Sequence, residues 1–201
     1  DINPGGSGLT LPGDFIVFNG QLYFRANDGS SGFELWRYDG TNAPQQVADI
    51  RPGSRGSSPD DLTIFNGQLY FRADDGTGSG KELWRYDGTN APQQVADING
   101  GSGSGRPSGL TVFNGQLYFN ADDGSTGTEL WRYDGTNAPQ RVTDLNPGSG
   151  NADPTNLTVF DNQLYFRADD GSTGPELWRY DGTKEPQRVT TTDARKSEQH
   201  T

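Results

Sequence analysis

The sequence predicts an all-β fold built from four equal units, and three observations carry this prediction. The octapeptide Glu-Leu-Trp-Arg-Tyr-Asp-Gly-Thr recurs unchanged four times, at intervals of about 47 residues. Within each copy, apolar residues alternate with polar ones at a period of two, which is the pattern of a β-strand. Turn sequences that contain Gly, Asn and Asp separate these alternating segments. No segment of the repeat shows the periodicity of a helix.

The first two strands of each copy form a predicted hairpin, as the third copy illustrates. A strand-like run at 110–113 precedes the segment 116–121, which alternates Leu, Phe and Ala with Gln, Tyr and Asn. Asn114-Gly115 lies between them and suits a type I′ turn, in which both central residues need positive φ. The corresponding pairs in the other copies are Asn19-Gly20, Asn66-Gly67 and Asp161-Asn162, of which the last tolerates positive φ less readily.

Two further strands complete each copy. In the third copy they are expected at 129–133 and near 140–145, after the loop 122–127 and the turn 134–139. Four short antiparallel strands and a longer Gly-, Pro- and Ser-rich linker are typical of a propeller blade. A flat stack of hairpins or a β-solenoid is the structural alternative, although a solenoid unit usually lacks two hairpin turns. We therefore predict a four-bladed β-propeller in which each blade is a four-stranded antiparallel sheet of about 47 residues.

We expect one propeller domain at 1–190, with approximate blades 1–47, 48–95, 96–142 and 143–190, and a flexible tail at 191–201. Asp1-Ile2 repeats the pair that follows the fourth strand in other copies, and this pair is missing after Val189. The two ends are therefore complementary. This predicts that Asp1-Ile2 packs beside the last blade near 190–192 and closes four blades in one monomer, because an open ring leaves strand edges exposed. Two chains that share an eight-bladed ring are the competing arrangement.

Composition excludes several classes of function. The 201 residues include 16 Lys or Arg and 27 Asp or Glu, and the net charge of −11 disfavours a nucleic-acid partner. The chain has no Cys or Met, and its single histidine, His200, lies in the predicted tail. Thiol chemistry, thiolate zinc sites and histidine-based catalytic or metal centres are therefore not expected. No apolar run approaches the roughly twenty residues that span a bilayer, so we expect no membrane insertion.

The octapeptide, together with Asp-Ile-Asn-Pro-Gly, Leu-Thr-Val-Phe-Asn-Gly-Gln-Leu-Tyr-Phe and Ala-Asp-Asp-Gly, resembles the bacterial ELWxxDGT tandem-repeat family of large secreted or surface proteins. The resemblance covers about 1–189 and implies an extracellular or secreted β-repeat protein. It implies no activity for individual residues. Independently of the family, the near identity of the four copies argues against an enzyme, because an active site is normally one asymmetric group of residues.

The candidate site lies on the rim that the Asp-Asp-Gly loop is expected to share with the long linker. There each copy offers an acidic loop residue, the octapeptide glutamate and tryptophan, and an arginine that the third copy replaces with asparagine. Acids, amide or guanidinium donors and an aromatic ring are the groups that bind sugar hydroxyls and the apolar side of a pyranose. The candidate carbohydrate-binding residues are Asp28, Glu34, Trp36, Arg72, Asp75, Glu82, Trp84, Asn120, Asp123, Glu129, Trp131, Arg167, Asp170, Glu176 and Trp178.

Each candidate also has a structural interpretation. Asp-Asp-Gly is ordinary turn chemistry, Arg is an ordinary cross-strand partner of Glu, and tryptophans at strand spacing pack between blades. Calcium is a minor alternative, because the rim has many oxygens, but 144–148 lacks the glutamate of a calcium loop and contains Pro147. We therefore expect no cofactor and no metal site.

The leading hypothesis is a non-catalytic, lectin-like propeller that binds glycans or glycoproteins through equivalent sites at the rim between blades. Several weak sites at fixed spacing would gain avidity on a glycan-coated surface. The alternative is a structural or adhesive repeat protein, or a scaffold engineered for symmetry, that has no small-molecule ligand.

Overall fold

The computed structural model describes residues 2–6, 8 and 15–190, which form four separate four-stranded antiparallel sheets. Within each sheet the strands are neighbours in chain order, which confirms the predicted all-β fold of four propeller blades. Among the described residues there is no helix long and apolar enough to cross a membrane. Asp1 and the predicted tail, 191–201, lie outside the described residues.

The blades have these strands. The first contains β1 (Ile16–Phe18), β2 (Gln21–Asn27), β3 (Phe33–Tyr38) and β4 (Gln45–Gln46). The second contains β5 (Asp60–Phe65), β6 (Gln68–Asp74), β7 (Lys81–Tyr86) and β8 (Gln93–Ala96). The third contains β9 (Ser108–Phe113), β10 (Gln116–Asp122), β11 (Thr128–Tyr133) and β12 (Gln140–Arg141). The fourth contains β13 (Thr155–Phe160), β14 (Gln163–Ala168), β15 (Glu176–Tyr180) and β16 (Gln187–Arg188).

The first hairpin of every blade turns in the predicted way. Asn19 and Gly20 have φ of 48° and 73°, and the same pattern recurs in the second and third blades. Asp161 and Asn162 adopt φ of 47° and 55°, so the fourth blade makes the same turn without a glycine. Asn and Asp accept this left-handed region better than other non-glycine residues, which explains the substitution.

Neighbouring blades pack through two kinds of face. Phe18, Tyr23 and Leu35 of the first blade pack against a surface of the second blade that includes Phe71 and Trp84. We call the Phe-Tyr-Leu side the forward face and the Phe-Trp side the backward face. The same pairing joins the second blade to the third and the third to the fourth. Alternation along each strand sends successive side chains to opposite faces, so one sheet can contact both neighbours.

The forward face of the fourth blade is open. Phe160 and Leu177 are 68% and 48% exposed, whereas their equivalents in the third blade, Phe113 and Leu130, are 3% and 0% exposed. Closure of four blades within one chain would bury Phe160 and Leu177 as it buries their equivalents. The structure therefore corrects the expected closed monomer. The four blades form an arc whose last face is uncovered.

The N-terminal segment lies on the first blade. Ile2 packs against the cluster of Phe24, Ala26 and Trp36, and the rings of Phe15 and Phe24 are 5.7 Å apart. The expected position of this segment beside the last blade is therefore also corrected. Ile2 has the environment that Ile50 has on the second blade, where Ile50 packs against the cluster containing Trp84.

Candidate functional site

Three of the four octapeptide glutamates are buried anchors for the linkers. Glu34, Glu82 and Glu129 have no exposed surface. Glu82, at the start of β7, accepts backbone N–H groups from Ile98 at 3.0 Å and Gly105 at 2.5 Å, both in the linker that leads to the third blade. A sugar cannot reach carboxylates that are covered in this way. The structure therefore revises the prediction that these three glutamates contact a glycan.

Burial also changes the acidity of these glutamates. Removal from water raises the pKa of Glu82 and of Glu129 to about 7, although hydrogen bonds from the linker backbone act in the opposite direction. Burial raises the pKa of Glu34 for the same reason. Glu176, the fourth member of the set, is exposed on the uncovered side of the last blade.

The loop aspartates hold their own turns, as the structural interpretation predicted. Asp75 accepts the backbone N–H of Thr77 at 2.9 Å and its hydroxyl at 2.8 Å, both at Oδ1. Asp28 and Asp170 accept backbone and hydroxyl hydrogens from serines in their loops. Hydrogen bonds to the ionised form lower a carboxyl pKa, and those from the loop backbone lower the pKa of Asp28 well below its usual range.

Asp123 accepts as many hydrogen bonds from its own loop as Asp28 does, and it also lies near a cation. Its Oδ1 accepts backbone and hydroxyl hydrogens from Ser125 and Thr126 at 2.8 to 3.0 Å. Burial acts to raise the pKa of Asp123, but these bonds outweigh burial and lower the pKa to about 2. Its Oδ2 lies 3.9 Å from Nη1 of Arg141. Asp123 therefore stays ionised and has a cation beside it.

The arginine of the candidate set lies on the other side of the blade from the tryptophan. Arg72 pairs with Leu83 across the strands, whereas Trp84 pairs with Phe71, so Arg72 and Trp84 point to opposite faces. Arg72 binds the carboxylate of Asp60 in the innermost strand at 2.9 Å. The structure therefore separates the guanidinium group from the tryptophan and the loop acid.

The third blade replaces this ion pair with neutral hydrogen bonds. Asn120 is buried, accepts the hydroxyl of Ser108 at 2.7 Å and donates to the carbonyl of Pro154 at 2.8 Å. Arg167, at the same place in the fourth blade, is exposed. The expected difference in the third blade is present, but it concerns the inner strand and not a rim site.

Three tryptophans, Trp84, Trp131 and Trp178, pack between blades, as their structural interpretation predicted. Trp36 instead packs against Phe24, Ala26 and Ile2 on the first blade. The four side chains are 8 to 9% exposed and lie on the backward faces: Trp36, Trp84, Trp131 and Trp178. The indole N–H of Trp178 donates to the carbonyl of Ala168 at 3.1 Å. The indole N–H of Trp84 is buried and has no acceptor within the described part of the chain. Little of each ring therefore remains exposed for contact with a ligand.

One groove between the first two blades nevertheless brings two predicted site residues together. A cavity of about 330 Å³ lies between the linker and the second blade, and we call it the interblade groove. Asp75 and Trp84 line it from the second blade, as predicted. The other main lining residues are Asp49, Ile50, Pro52 and Thr77, which the sequence analysis did not name. Their place in the linker beside the Asp-Asp-Gly loop was the signal that could have found them.

The interblade groove combines an apolar wall with carboxylate oxygens. Ile50, Pro52 and Trp84 supply carbon surface, while Asp49 and Asp75 supply the acids. Because both internal hydrogen bonds of Asp75 fall on Oδ1, its Oδ2 makes no hydrogen bond to a described residue. The groove can therefore accept hydrogen bonds from a ligand while it packs against an apolar surface of that ligand.

A small polar cavity that the sequence did not predict recurs in all four blades. On the opposite rim of the fourth blade, Gln163, Arg179, Asp181 and Gln187 line a polar cavity of about 180 Å³. Equivalent residues line cavities of about 120, 110 and 20 Å³ in the third, second and first blades. The arginine of each octapeptide is part of this set, and its repetition was the available signal. Among the residues that the structure describes, no group of three or more acidic or histidine side chains is placed to hold a metal ion.

No family model matches the sequence, and no curated protein matches it. Solved structures resemble its fold. An enzyme from a study of two prolyl endopeptidases aligns with a TM-score of 0.60 and 13% identity, over 88% of this chain and 26% of that chain. The acylaminoacyl peptidase of Pyrococcus horikoshii aligns with a TM-score of 0.59 and 11% identity, over 95% of this chain and 29% of that chain. This chain thus spans little more than a quarter of either peptidase.

This chain aligns with a larger share of a third solved structure. A family 117 glycoside hydrolase from the marine bacterium Zobellia galactanivorans aligns with a TM-score of 0.49 and 15% identity, over 94% of this chain and 71% of that chain. At identities of this size, similarity to the two peptidases shows a shared fold alone.

Proposed function

We propose that this protein is a non-catalytic, multivalent carbohydrate-binding propeller whose sites are the interblade grooves. The observation that carries the proposal is the meeting of Asp75, Thr77 and Trp84 with Asp49 and Ile50 in one groove. Carboxylate oxygens accept hydrogen bonds from sugar hydroxyls, and the apolar wall suits the C–H side of a pyranose ring.

The repeat supplies corresponding residues at the other blades, and this supports multivalency. The linker acid, linker apolar residue, loop acid and tryptophan are Asp97, Ile98, Asp123 and Trp131 before the third blade, and Asp144, Leu145, Asp170 and Trp178 before the fourth. On the first blade, Ile2, Asp28 and Trp36 form a partial set. Weak sites on one rigid arc gain apparent affinity when a surface displays many copies of a glycan.

The grooves are not chemically identical. Asp123 has Arg141 near its Oδ2, whereas the position of Arg141 is occupied in the second blade by Gln94. In the second blade Arg51 of the linker supplies a positive charge instead, because its Nη1 binds the carboxylate of Asp74 beside Asp75. Neutral glycans suit the groove of Asp75 better than sulfated or sialylated glycans, because a negative ligand would approach Asp49, Asp75 and a chain of net charge −11.

Binding suits the repeated groups better than catalysis does. The same acids recur at the corresponding positions of the second, third and fourth blades, and the buried glutamates already accept hydrogen bonds from the linkers. The structural or adhesive alternative rests on the same aspartates, since Asp28 and Asp123 use their carboxylates to hold their own loops. The resemblance to secreted repeat proteins supports a place outside the cell for either function.

A glycan array on the purified chain, with and without calcium, tests the proposal. We expect binding to a set of neutral glycans, followed by calorimetry that gives more than one site per chain. Absence of binding to both neutral and charged glycans under both conditions would favour the structural or adhesive alternative. Binding that requires calcium would contradict the prediction of a metal-independent site.

A further inference from the structure

Each interior junction between blades has the same three parts. A forward face packs on the next backward face, and the linker crosses the junction from one blade to the next. The third part is the glutamate of the earlier blade, which accepts backbone N–H groups from that linker. Glu82, for example, accepts from Ile98 and Gly105.

The fourth blade presents the first half of such a junction without its complement. Phe160 and Leu177 stand where Phe113 and Leu130 are buried, and both are exposed. Glu176 stands where Glu82 and Glu129 are buried, and it too is exposed. The forward face of the fourth blade therefore exposes the apolar surface and the carboxylate that the interior blades bury in their junctions.

The first blade presents the other half. The N–H of Asn27 donates to the carbonyl of Gly8 at 2.8 Å, as the N–H of Asp122 donates to the carbonyl of Gly105 at 2.9 Å. Gly8 thus occupies the place of Gly105. Ile2 packs on the first blade beside Trp36 as Ile50 packs beside Trp84 on the second.

The backward face of the first blade completes this half. Strand pairing places Ile16 opposite Tyr23 as it places Thr63 opposite Tyr70, so Phe15 stands where Leu62 stands in the second blade. Phe15 is 54% exposed, whereas Leu62 is 9% exposed and packed in the junction. Leu22 and Tyr38 of the same face are only partly buried.

We propose that a second copy of this chain supplies the missing partner at both ends. The forward face of the fourth blade binds the backward face of the first blade of the other copy, and Glu176 accepts the backbone N–H groups of its Ile2 and Gly8. The same contact formed reciprocally joins two arcs into a ring of eight blades. Contacts that pair two different surfaces close into rings when the rotation permits, and propellers of up to eight blades are typical.

We assign the partner of the forward face of the fourth blade as a second copy of the chain, because the interior junctions pair each forward face with a backward face of this same chain. Those junctions show which surface of this chain covers a forward face. Among the described blades, that surface is incompletely covered only on the first, where Phe15 is 54% exposed and Leu22 and Tyr38 are partly buried, although Phe24 and Trp36 are buried. The first blade of the same chain does not cover the fourth, since Phe160 and Leu177 are exposed. This inference does not depend on glycan binding, although Ile2 and Trp36 at the backward end also belong to the partial set of groove residues on the first blade.

Light scattering on the purified 201-residue chain tests the proposal directly. We expect a mass of about twice 21.8 kDa. Leu177→Asp should give a single-chain mass with unchanged circular dichroism, because Leu177 is exposed within one arc. Val112→Asp is the matched control, since Val112 is an apolar strand residue that is 40% exposed but lies in the third blade. It should keep the doubled mass.

A mixing experiment then tests the direction of the contact. Ile2→Asp should disable the backward end and also give a single-chain mass. The Leu177→Asp chain keeps an intact backward end, and the Ile2→Asp chain keeps an intact forward face. A mixture of the two variants should therefore regain the doubled mass. A single-chain mass for the unmodified protein at 100 μM, assemblies larger than two chains, or a mixture that stays at the single-chain mass would each overturn the proposal.

Discussion

The carboxylate of Glu82 accepts the backbone N–H of Gly105 at 2.5 Å, and the two residues are 23 positions apart in the sequence. The bond joins the start of β7 to the linker that begins the third blade. Glu34 makes the same kind of bond with the backbone of Ser57 at 2.7 Å, again 23 positions away. In the first three blades the octapeptide glutamate therefore fixes the linker that follows its blade and is unavailable to a ligand.

Replacement of this glutamate should destabilise the fold. Glu82→Ala leaves the N–H groups of Ile98 and Gly105 without their acceptor in a buried place. An unsatisfied buried donor costs about 1 to 3 kcal/mol, so we expect the free energy of unfolding to fall by about that amount or more. Urea denaturation followed by circular dichroism measures it.

Glu176→Ala is the matched control, because Glu176 has the same octapeptide neighbours and is exposed. Both changes should be made in a Phe160→Asp background, so that association of chains does not contribute. We expect Glu176→Ala to change the free energy of unfolding by less than about 0.5 kcal/mol. Equal losses from the two changes would show that Glu82 is not a special anchor.

Stability should fall as the pH rises from about 4.5 to about 7. The folded-state pKa of Glu82 and Glu129 is about 7, above the ordinary value of 4.5, so the folded protein holds protons that the unfolded chain releases in this interval. The free energy of unfolding therefore decreases as pH rises through this window. The lowered pKa values of Asp39 and Asp181, about 2, act in the opposite sense only below about 3.8.

Thermal melts at intervals between pH 4.5 and 8 check this dependence. We expect the melting temperature to be higher at pH 5 than at pH 8, and Glu82→Gln to reduce that difference because it removes one of the titrating groups. A melting temperature that rises between pH 5 and 7 would contradict the assignment of raised pKa values to these glutamates.

If the interblade groove binds glycans, a change in it should alter the number of glycan sites per chain. Asp75→Asn should lower the number of glycan sites per chain by one in calorimetry, because the amide places a donor where the sugar hydroxyl needs an acceptor. Stability should change little, since an Asn side chain can still accept the hydrogen bonds of Thr77. Asp87→Asn is the control, because Asp87 also holds its own turn, with the N–H of Thr89 at 2.8 Å, but lies outside the groove. Loss of sites from both variants would move the binding site elsewhere.

Asn120 should matter more to folding than the arginine that stands in its place in the fourth blade. Asn120→Ala removes its bonds to Ser108 and Pro154, and we expect a loss of about 1 to 2 kcal/mol in the free energy of unfolding. Arg167→Ala, measured in the same Phe160→Asp background, should cost less than about 0.5 kcal/mol because Arg167 is exposed. Chemical denaturation of both variants compares them, and a larger loss from Arg167→Ala would refute this assignment.

The sequence by itself determined the strands, the hairpin turns and the number of blades. Alternation at a period of two and the Asn114-Gly115 pair act over a few residues, so their consequences can be derived without knowledge of distant contacts. The turn role of Asp75 and the packing role of Trp84 were also open to prediction, because both follow from local geometry and from residue type.

Only the tertiary structure decided which candidate residues meet and which surfaces stay open. The burial of Glu82 depends on a linker that crosses it 23 residues later, and the separation of Arg72 from Trp84 depends on which blade each face contacts. The open face at Phe160 depends on the angle between successive blades, to which many packed side chains contribute and which no local motif specifies. Strand and turn preferences are local energies, whereas burial and closure arise from the whole arrangement of blades, so identical octapeptides occupy different environments in the interior and at the end of the arc.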